Sequence, residues 1–140
     1  MFNNILVPTD LTEKSAKALE IAVGMAEKDN YRVTLLHVVE MIEDDDDIEE
    51  FRSFYEKLAL RARKKMESMA REYRSGYFNL QCEIIYGKRV KEIVRFASDK
   101  GIDLIILSSH KLDNIDAADG WATISYRVGI MSPCPVLMVK

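Results

Sequence analysis

Three segments at the ends of apolar runs contain the side chains best suited to chemistry. The first holds Pro8, Thr9 and Asp10, the second is residues 38–40, and the third is residues 108–111. Hydroxyl and carboxylate oxygens in such places can hydrogen-bond a small polar ligand. Asp10 has an equally simple interpretation as a turn residue ahead of a helix, because an aspartate side chain readily bonds the backbone two residues on.

The third segment places two serines beside a histidine, and these groups serve in nucleophilic catalysis. Adjacent residues on a turn rarely align as nucleophile and base, and the chain lacks the Gly-x-Ser-x-Gly run of α/β-hydrolases. A phosphate-accepting receiver domain would need a carboxylate after the third strand, where residues 86–88 are Tyr-Gly-Lys. We therefore predict no catalytic residue. His37 lies inside an apolar run, which favours a core or interface histidine over a metal ligand.

Seven acidic residues within positions 43–50 raise the question of a calcium or magnesium site. Metal-binding loops space their acids around a glycine turn, and this run does not. A solvated loop before a helix N-terminus, where negative charge is favourable, explains the run better. No metal site is predicted. Cys82 and Cys134 fit neither a zinc motif nor a redox pair, and we expect both to be small buried hydrophobes.

The composition is that of an ordinary globular domain, because 48% of the 140 residues are hydrophobic and 31% are charged. The net charge of −3 excludes a DNA-coating protein, which would carry a basic excess. No apolar run approaches the length of about 18–20 residues that a membrane helix needs. No basic segment precedes an apolar stretch at the start, as it would in a secretory signal. We expect a cytoplasmic protein without nucleic-acid or membrane partners.

The strands and helices that position these segments alternate along the chain. Short apolar runs rich in branched residues predict five strands, at 5–7, 33–39, 80–86, 104–107 and 136–139. Apolar residues at helical spacing predict four helices, from Thr12 to Asn30, over 48–74, from Gly87 to Gly101, and after Gly120 to about Met131.

Alternation of this kind indicates a single doubly wound α/β domain, with five parallel strands and helices on both faces. The third strand partly alternates apolar and polar residues, which is typical of an edge strand. Ligands of such folds bind beyond the carboxyl ends of the strands, where the strand order switches. The three segments at the ends of strands one, two and four are therefore predicted to converge there and to form the candidate site.

Two of the helices have patterns that predict how they pack. The first helix has one apolar stripe, which comprises Ala16, Leu19, Ala22, Val23 and Ala26. The second helix carries basic residues at 61 and 63–65, beside its own apolar stripe. We interpret these as long side chains that face water, and not as a patch for nucleic acid or membrane.

Several fragments occur in an order and spacing that point to one family. They are residues 5–10 with Ser15, residues 36–38, residues 87–106 and residues 133–139. Together they resemble the universal stress protein family (UspA-like) over essentially the whole chain, as one domain of residues 1–140. The resemblance implies an adenine nucleotide alpha hydrolase-like fold with strand order 3-2-1-4-5. It also implies a homodimer joined through the last strand, which comprises Val136, Leu137, Met138 and Val139. An uncovered apolar edge strand invites such pairing.

Many members of this family bind ATP through a loop after the fourth strand, with the pattern Gly, two residues, Gly, nine residues, and Gly followed by Ser or Thr. Bare backbone amides in such a loop can hold phosphate. Here Ser108 and Lys111 stand at the first two glycine positions, and His110 stands where the family often has histidine. The final pair falls on Ala122 and Thr123, after one inserted residue.

The charge of this loop also disfavours a triphosphate. Asp113, Asp116 and Asp119 lie within it, and Lys111 offsets one of them at most. A triphosphate brings about four negative charges, and each close like-charge contact costs about 1 kcal/mol even in water. The loop is therefore predicted to lack a triphosphate cradle.

The nucleoside side of the family's site is better preserved, and Asp10 there can accept a hydrogen bond from a ribose hydroxyl or an adenine amine. The missing loop glycines disfavour ATP, so we predict no cofactor. Adenosine and ATP are the open alternatives. The nucleotide-binding positions that the resemblance implies are Pro8, Thr9, Asp10, Val38, Leu107, Ser108, His110, Lys111, Ala122 and Thr123.

The sequence thus predicts a homodimeric stress-response or regulatory protein without tight ATP binding, which acts through protein partners that the sequence does not name. The alternative is an ATP-dependent switch that uses Asp10 and presents Gly120 and Thr123 to phosphate, with at most slow hydrolysis. An enzyme of the wider adenine nucleotide hydrolase-like group fits least, because the phosphate loop is degraded.

Overall fold

The computed structural model describes residues 2–26, 31–41, 49–74, 78–109 and 120–140, with side chains of the last range from residue 124 onward. Strands and helices alternate through these ranges. The strands are β1 (Asn4–Pro8), β2 (Arg32–Glu40), β3 (Asn79–Gly87), β4 (Leu104–Ser108) and β5 (Val136–Val139). The helices are α1 (Glu13–Ala26), α2 (Arg52–Ala70), α3 (Arg89–Asp99) and α4 (Gly120–Met131), and a 3₁₀ turn (Arg71–Tyr73) follows α2.

The sheet is parallel throughout and has the order β3-β2-β1-β4-β5. This confirms the predicted architecture and the edge position of β3. The register shapes the carboxyl edge of the sheet, because Pro8 at the end of β1 lies opposite Leu36, whereas Glu40 at the end of β2 lies opposite Gly87. Residues 37–40 therefore extend beyond β1 and form a wall beside its end.

Helices cover both faces of the sheet, because the inner strands bury apolar side chains on both sides. Val7 and Leu35 belong to the core under α1 and α2. Leu6, Leu36 and Ile105 belong to the core under α3 and α4. Neighbouring residues of one strand thus enter opposite cores, as the two-residue period of a strand requires.

Two helices differ in detail from the prediction. On α1, Ala16 is exposed, and Ser15 is buried in the stripe that faces the sheet. The second helix begins at Arg52 and ends at Ala70, so it is shorter than the predicted 48–74. Its preceding residue, Phe51, has no side-chain oxygen to cap the first turn. None of the described helices is both long and apolar enough to cross a lipid bilayer.

Glycine and asparagine residues were predicted to end the first three helices. Gly101 follows α3 as predicted and has φ 64°, a left-handed conformation that favours glycine after a helix. Asn30 and Gly76, at two of these predicted helix ends, lie outside the described residues. So do residues 43–48 of the acidic run.

The outer edge of β3 is covered by arginine side chains from α2 and from the end of the turn after it. Arg74 donates to the carbonyl oxygen of Leu80 at 2.8 Å, and Arg63 donates to that of Cys82 at 3.5 Å. Glu67 holds Arg74 through both carboxylate oxygens, at 2.9 and 3.1 Å. The arginines thus occupy carbonyl groups that would otherwise be open to another strand.

The opposite edge of the sheet, at β5, presents apolar side chains. Leu137 is 41% exposed. Tyr126, Ile130 and Met131 of the preceding helix α4 are also exposed. The two edges therefore differ in chemistry, since one is covered by charged side chains and the other carries an apolar surface.

The two cysteines were expected to be buried, but both are half-buried free thiols. Cys82 lies on the edge strand β3, which has a neighbouring strand on one side only, and Cys134 lies in the turn before β5. Burial raises the pKa of the Cys82 thiol. The reactive thiolate of Cys82 is therefore disfavoured.

Candidate functional site

The turn between β1 and α1 is held by hydroxyl groups. Thr9 extends the sheet by donating its N–H to the carbonyl oxygen of Leu36 at 2.8 Å. Its hydroxyl accepts from the N–H of Leu11 at 2.9 Å and lies 2.7 Å from the hydroxyl of Ser15. Ser15 donates its proton to the carbonyl oxygen of Thr12 at 2.7 Å, so Thr9 is the donor in the pair. These bonds explain why a serine can be buried on α1.

Asp10 joins this turn to the start of α1. Its Oδ1 accepts from the N–H of Thr12 at 3.0 Å and from the Thr12 hydroxyl at 2.6 Å. A carboxylate bonded to the backbone two residues on is a local turn device, as the simpler interpretation of Asp10 predicted. The same residue also lines the cavity at the end of the strands, so the two interpretations of Asp10 are compatible.

Leu11 lies next in the turn and has φ 67°. This left-handed conformation is uncommon for a residue with a side chain, and it costs about 1 kcal/mol. The Thr9 hydroxyl fixes the Leu11 N–H, and the Leu11 side chain packs against the core under α1 and α2. The surrounding contacts therefore hold the turn in a conformation that a leucine does not favour by itself.

His37 is the first residue of β2 beyond the end of β1, and it bonds back to the turn. Its Nδ1 lies 2.9 Å from the carbonyl oxygen of Thr9. A carbonyl can only accept, so Nδ1 carries a proton. Burial lowers the pKa of His37, the bond to Thr9 opposes this in part, and the charges of Arg89 and Asp10 have smaller effects that lower and raise it, respectively. The ring is therefore neutral at pH 7 and its Nε2 is an acceptor.

These groups line a cavity of about 40 Å³ at the carboxyl edge of β1 and β2. A pocket that encloses a whole small ligand measures about 300 Å³ or more, so this cavity can receive only part of one, such as a ring edge or a hydroxyl group. Its lining combines polar and apolar side chains, from Pro8, Thr9, Asp10, Leu36, His37, Val38, Arg89 and Ile93.

Arg89 begins α3 and supplies a positive charge at the cavity. Its Nε lies 3.3 Å from Oε2 of Glu40, at the end of the β2 wall. The neighbouring Lys88 donates from Nζ to the carbonyl oxygen of Met41 at 2.7 Å. These contacts tie the start of α3 to the end of β2, so the Arg89 charge is already partly neutralised by a carboxylate.

The end of β4 is built differently. Leu107 and Ser108 are buried, and Ser108 lies opposite Val139 of β5. The next residue, Ser109, donates its N–H to the carbonyl oxygen of Val139 at 2.7 Å. Its hydroxyl accepts from that of Ser125 on α4 at 3.3 Å. The sheet therefore uses the Ser109 amide, which is not free to bind an anion.

Comparison with known proteins agrees with this architecture. The sequence model of the universal stress protein family matches residues 1–140. This chain belongs to the universal stress protein family. The universal stress protein YxiE of Bacillus subtilis is 29% identical over 154 aligned positions, which cover 100% of both chains. Universal stress protein MJ0577 of Methanocaldococcus jannaschii is 30% identical over 156 positions, which cover 100% of this chain and 96% of the relative.

Solved structures of universal stress proteins have the same fold. UspA from Lactobacillus plantarum matches with a TM-score of 0.83 at 24% identity, over 99% of this chain and 98% of its own. The structure of MJ0577 matches with a TM-score of 0.82 at 34% identity, over 100% and 96%. A universal stress protein in complex with cAMP and one from Archaeoglobus fulgidus in complex with dAMP match at TM-scores of 0.74 and 0.70. At 18% and 17% identity, these two show the fold alone.

In this universal stress protein, part of the predicted site comes together. Pro8, Thr9, Asp10 and Val38 line one cavity. The predicted Leu107 and Ser108 lie at the end of β4 and are not among the residues that line that cavity. The remaining predicted positions cannot be placed against it, since His110 and Lys111 lie outside the described residues and Ala122 and Thr123 fall in α4 without described side chains.

Four residues of the cavity were missed from the sequence, the apolar Leu36 and Ile93 and the polar His37 and Arg89. His37 was interpreted as a core or interface histidine, yet it is half-buried and lines the cavity. Arg89 was missed because the predicted site comprised only the segments after strands one, two and four. The end of β3 lies at the same edge of the sheet, so the first residues of the helix that follows β3 were a usable signal.

Proposed function

We propose that this universal stress protein is a cytoplasmic, homodimeric regulatory protein of stress responses, whose cavity receives the adenine edge or a ribose hydroxyl of an adenine nucleotide without a triphosphate cradle. The observation that carries the proposal is that Asp10 and His37 line one cavity. A carboxylate and a neutral imidazole offer acceptors for an adenine amine or a ribose hydroxyl. The relatives solved with cAMP and dAMP, each with a single phosphate, support this class of ligand.

The phosphate side supports a mononucleotide or nucleoside rather than ATP. Ser108, Lys111 and Ala122 replace the glycines whose bare backbone would approach phosphate, and the sheet uses the Ser109 amide. The cation at the cavity, Arg89, already pairs with Glu40. This pairing reduces the positive charge that Arg89 can offer to a triphosphate.

The two edges of the sheet support a dimer through β5. Arginines cover carbonyl groups along β3, whereas β5 and α4 present Leu137, Tyr126, Ile130 and Met131 to solvent. A two-fold contact between two β5 strands would cover both apolar surfaces at once.

Calorimetric titration tests the ligand, with adenosine, AMP and Mg-ATP as the three titrants. We expect adenosine and AMP to bind, and Mg-ATP to bind no more tightly than AMP. Asp10→Asn keeps an oxygen for the Thr12 turn but loses the charge, and we expect its affinity for adenosine to fall about tenfold. Glu13→Gln, an exposed change on the same turn, should leave affinity unchanged. Micromolar Mg-ATP binding without adenosine binding would refute the proposed ligand.

Sedimentation tests the dimer independently of the ligand. We expect the wild-type chain to sediment as a dimer and Leu137→Lys to sediment as a monomer, because a charge would be buried in the apolar contact. Gln81→Lys places the same charge on exposed β3 and should leave the dimer intact. A wild-type monomer, or equal effects of the two lysines, would contradict dimerisation through β5.

A further inference from the structure

A groove of about 450 Å³ lies on the α2 side of the β2 wall, next to the cavity but larger than it. This volume falls within the usual range for a small-molecule site, about 300–1,000 Å³. His37, Val38 and Arg89 line both spaces. The other residues of the groove come from the end of β2, from the β1–α1 turn and from α2, and none of them lines the cavity. Those from the turn and from α2 include Leu11, Phe54, Tyr55, Leu58, Arg61 and Lys65.

The walls of the groove are apolar and partly aromatic. Tyr55 is buried, Leu58 is half-buried and Phe54 is 54% exposed. The rings of Phe54 and Tyr55 meet edge to face, with centroids 5.6 Å apart. These residues lie on one face of α2, since positions three and four apart on a helix are neighbours. The groove therefore offers an apolar surface to an aromatic or alkyl group.

Two cations from the same face of α2, Arg61 and Lys65, also line the groove. They are four residues apart, a spacing at which like charges repel and weaken a helix. Within the described part of the chain, no carboxylate lies at ion-pair distance from either. Other cations of this protein do pair, as Arg52 does with Glu49. Glu40 also lines the groove, but it pairs with Arg89, and it is the one carboxylate among the described residues that line the groove.

We propose that this groove binds a small amphipathic anion, with an aromatic or alkyl body against Phe54 and Leu58 and one anionic group at Arg61 and Lys65. Charge complementarity selects this occupant. A neutral apolar molecule would leave the two cations unpaired, and a polyanion without an apolar body would leave the aromatic wall exposed. The inference does not rest on the proposed function, because the groove-specific residues lie outside the nucleoside cavity.

Fluorescence titration with two probes that share one aromatic ring system tests the proposal. One probe is 1-anilinonaphthalene-8-sulfonate, and the other is the neutral N-phenyl-1-naphthylamine, which lacks the sulfonate. We expect the wild-type chain to prefer the sulfonate. Lys65→Gln should raise the Kd of the sulfonate about three- to fivefold and leave that of the neutral probe unchanged. The double variant with Arg61→Gln should have a larger effect, and Phe54→Ser should weaken both probes.

Lys64→Gln is the matched control, because it removes the same charge from α2 at a position that does not line the groove. All of these positions are exposed, and circular dichroism verifies the fold of each variant. Equal affinity for the two probes, or an equal effect of Lys64→Gln and Lys65→Gln, would overturn the proposal. AMP affinity should not change in Lys65→Gln. If it falls with that of the sulfonate, the groove is the phosphate end of a nucleotide site and the proposal is wrong.

Discussion

Thr9 and Ser109 occupy matching positions at the ends of two adjacent strands, yet their hydroxyl groups make different hydrogen bonds. Each donates its N–H to the next strand outward, Thr9 to Leu36 at 2.8 Å and Ser109 to Val139 at 2.7 Å. Each is buried. The Thr9 hydroxyl organises a complete turn, whereas the Ser109 hydroxyl accepts a 3.3 Å bond from Ser125 on a helix.

The difference shows that local hydrogen bonds hold the end of one strand, whereas packing holds the end of its neighbour. On the β1 side, the hydroxyl of Thr9 bonds that of Ser15, Ser15 donates to the backbone carbonyl of Thr12, and the Thr12 hydroxyl donates to the Asp10 carboxylate, all within a single turn. The β4 side relies on a buried strand and on a helix that starts at Gly120. Changes to hydroxyl groups should therefore disturb the β1 side far more than the β4 side.

The largest effect is expected for Thr9→Val, which keeps the shape of the side chain and removes the hydroxyl. The Leu11 N–H loses its acceptor and the buried Ser15 hydroxyl loses its donor. We expect the free energy of unfolding to fall by about 2–3 kcal/mol, because buried polar groups are left without partners. Urea unfolding measures this value. A loss no larger than that of Ser109→Ala would remove the distinction between the two strand ends.

A smaller loss is expected for Leu11→Val, which puts a β-branched side chain at φ 67°. Such residues tolerate the left-handed region poorly, so we expect the free energy of unfolding to fall by about 1–2 kcal/mol. Leu58→Val, at a half-buried position within α2, is the matched control and should cost less. If the two variants lose the same stability in urea, the β1 turn stores no particular strain.

An effect confined to acid pH is expected from His37, which bonds the carbonyl of Thr9. Its pKa in the folded chain is lowered, chiefly by burial, below the value of about 6.5 that it has when unfolded. Between these two values the unfolded chain binds a proton that the folded chain does not. Stability is therefore fully present above about pH 6.5 and declines as the pH falls through the folded pKa.

Urea midpoints between pH 5 and 8 measure this decline. His37→Gln, whose amide can still donate to the Thr9 carbonyl, should flatten the profile. His110→Gln, at the chain's other histidine, should retain it. Stability that rises on acidification in the wild-type chain alone would mean that the folded state favours the charged ring, contrary to the geometry of the site.

The smallest effect is expected for Ser109→Ala at the end of β4. The variant removes the longer 3.3 Å bond and leaves the backbone bond to Val139 intact. We expect a loss of about 0.5–1 kcal/mol, the ordinary net value of one hydrogen bond. A loss above about 2 kcal/mol in the same urea assay would show that the β4 end depends on its hydroxyls as strongly as the β1 end does.

The sequence predicted the sheet well, because the branched apolar runs are short, separate and strongly patterned. It misjudged α1, since apolarity alone favoured Ala16 over Ser15. A buried serine is acceptable only because Thr9 and Thr12 supply its partners, and those contacts arise from the folded turn. It also extended the second helix to residue 48, because helical spacing by itself does not show where capping fails.

The candidate site was only partly predictable. Asp10 follows β1 and Val38 lies near the carboxyl end of β2, so the general rule for parallel sheets located them. His37 is different, because its role depends on the register that carries β2 past the end of β1. Arg89 depends on the same overhang, through its pair with Glu40. Register between strands comes from the assembled sheet, and no single segment of the sequence encodes it.

The pairing of β1 with β4 has a consequence for the order in which this protein is made. Ile5 lies opposite Leu104, so the strands that meet at the switch point are separated by most of the chain. Contacts between such distant segments form late and slow folding. During synthesis on the ribosome, β1 and β2 can pair early, but the central sheet cannot close until β4 has emerged. A stalled or cleaved nascent chain would therefore leave the apolar side of β1 open to chaperones and proteases.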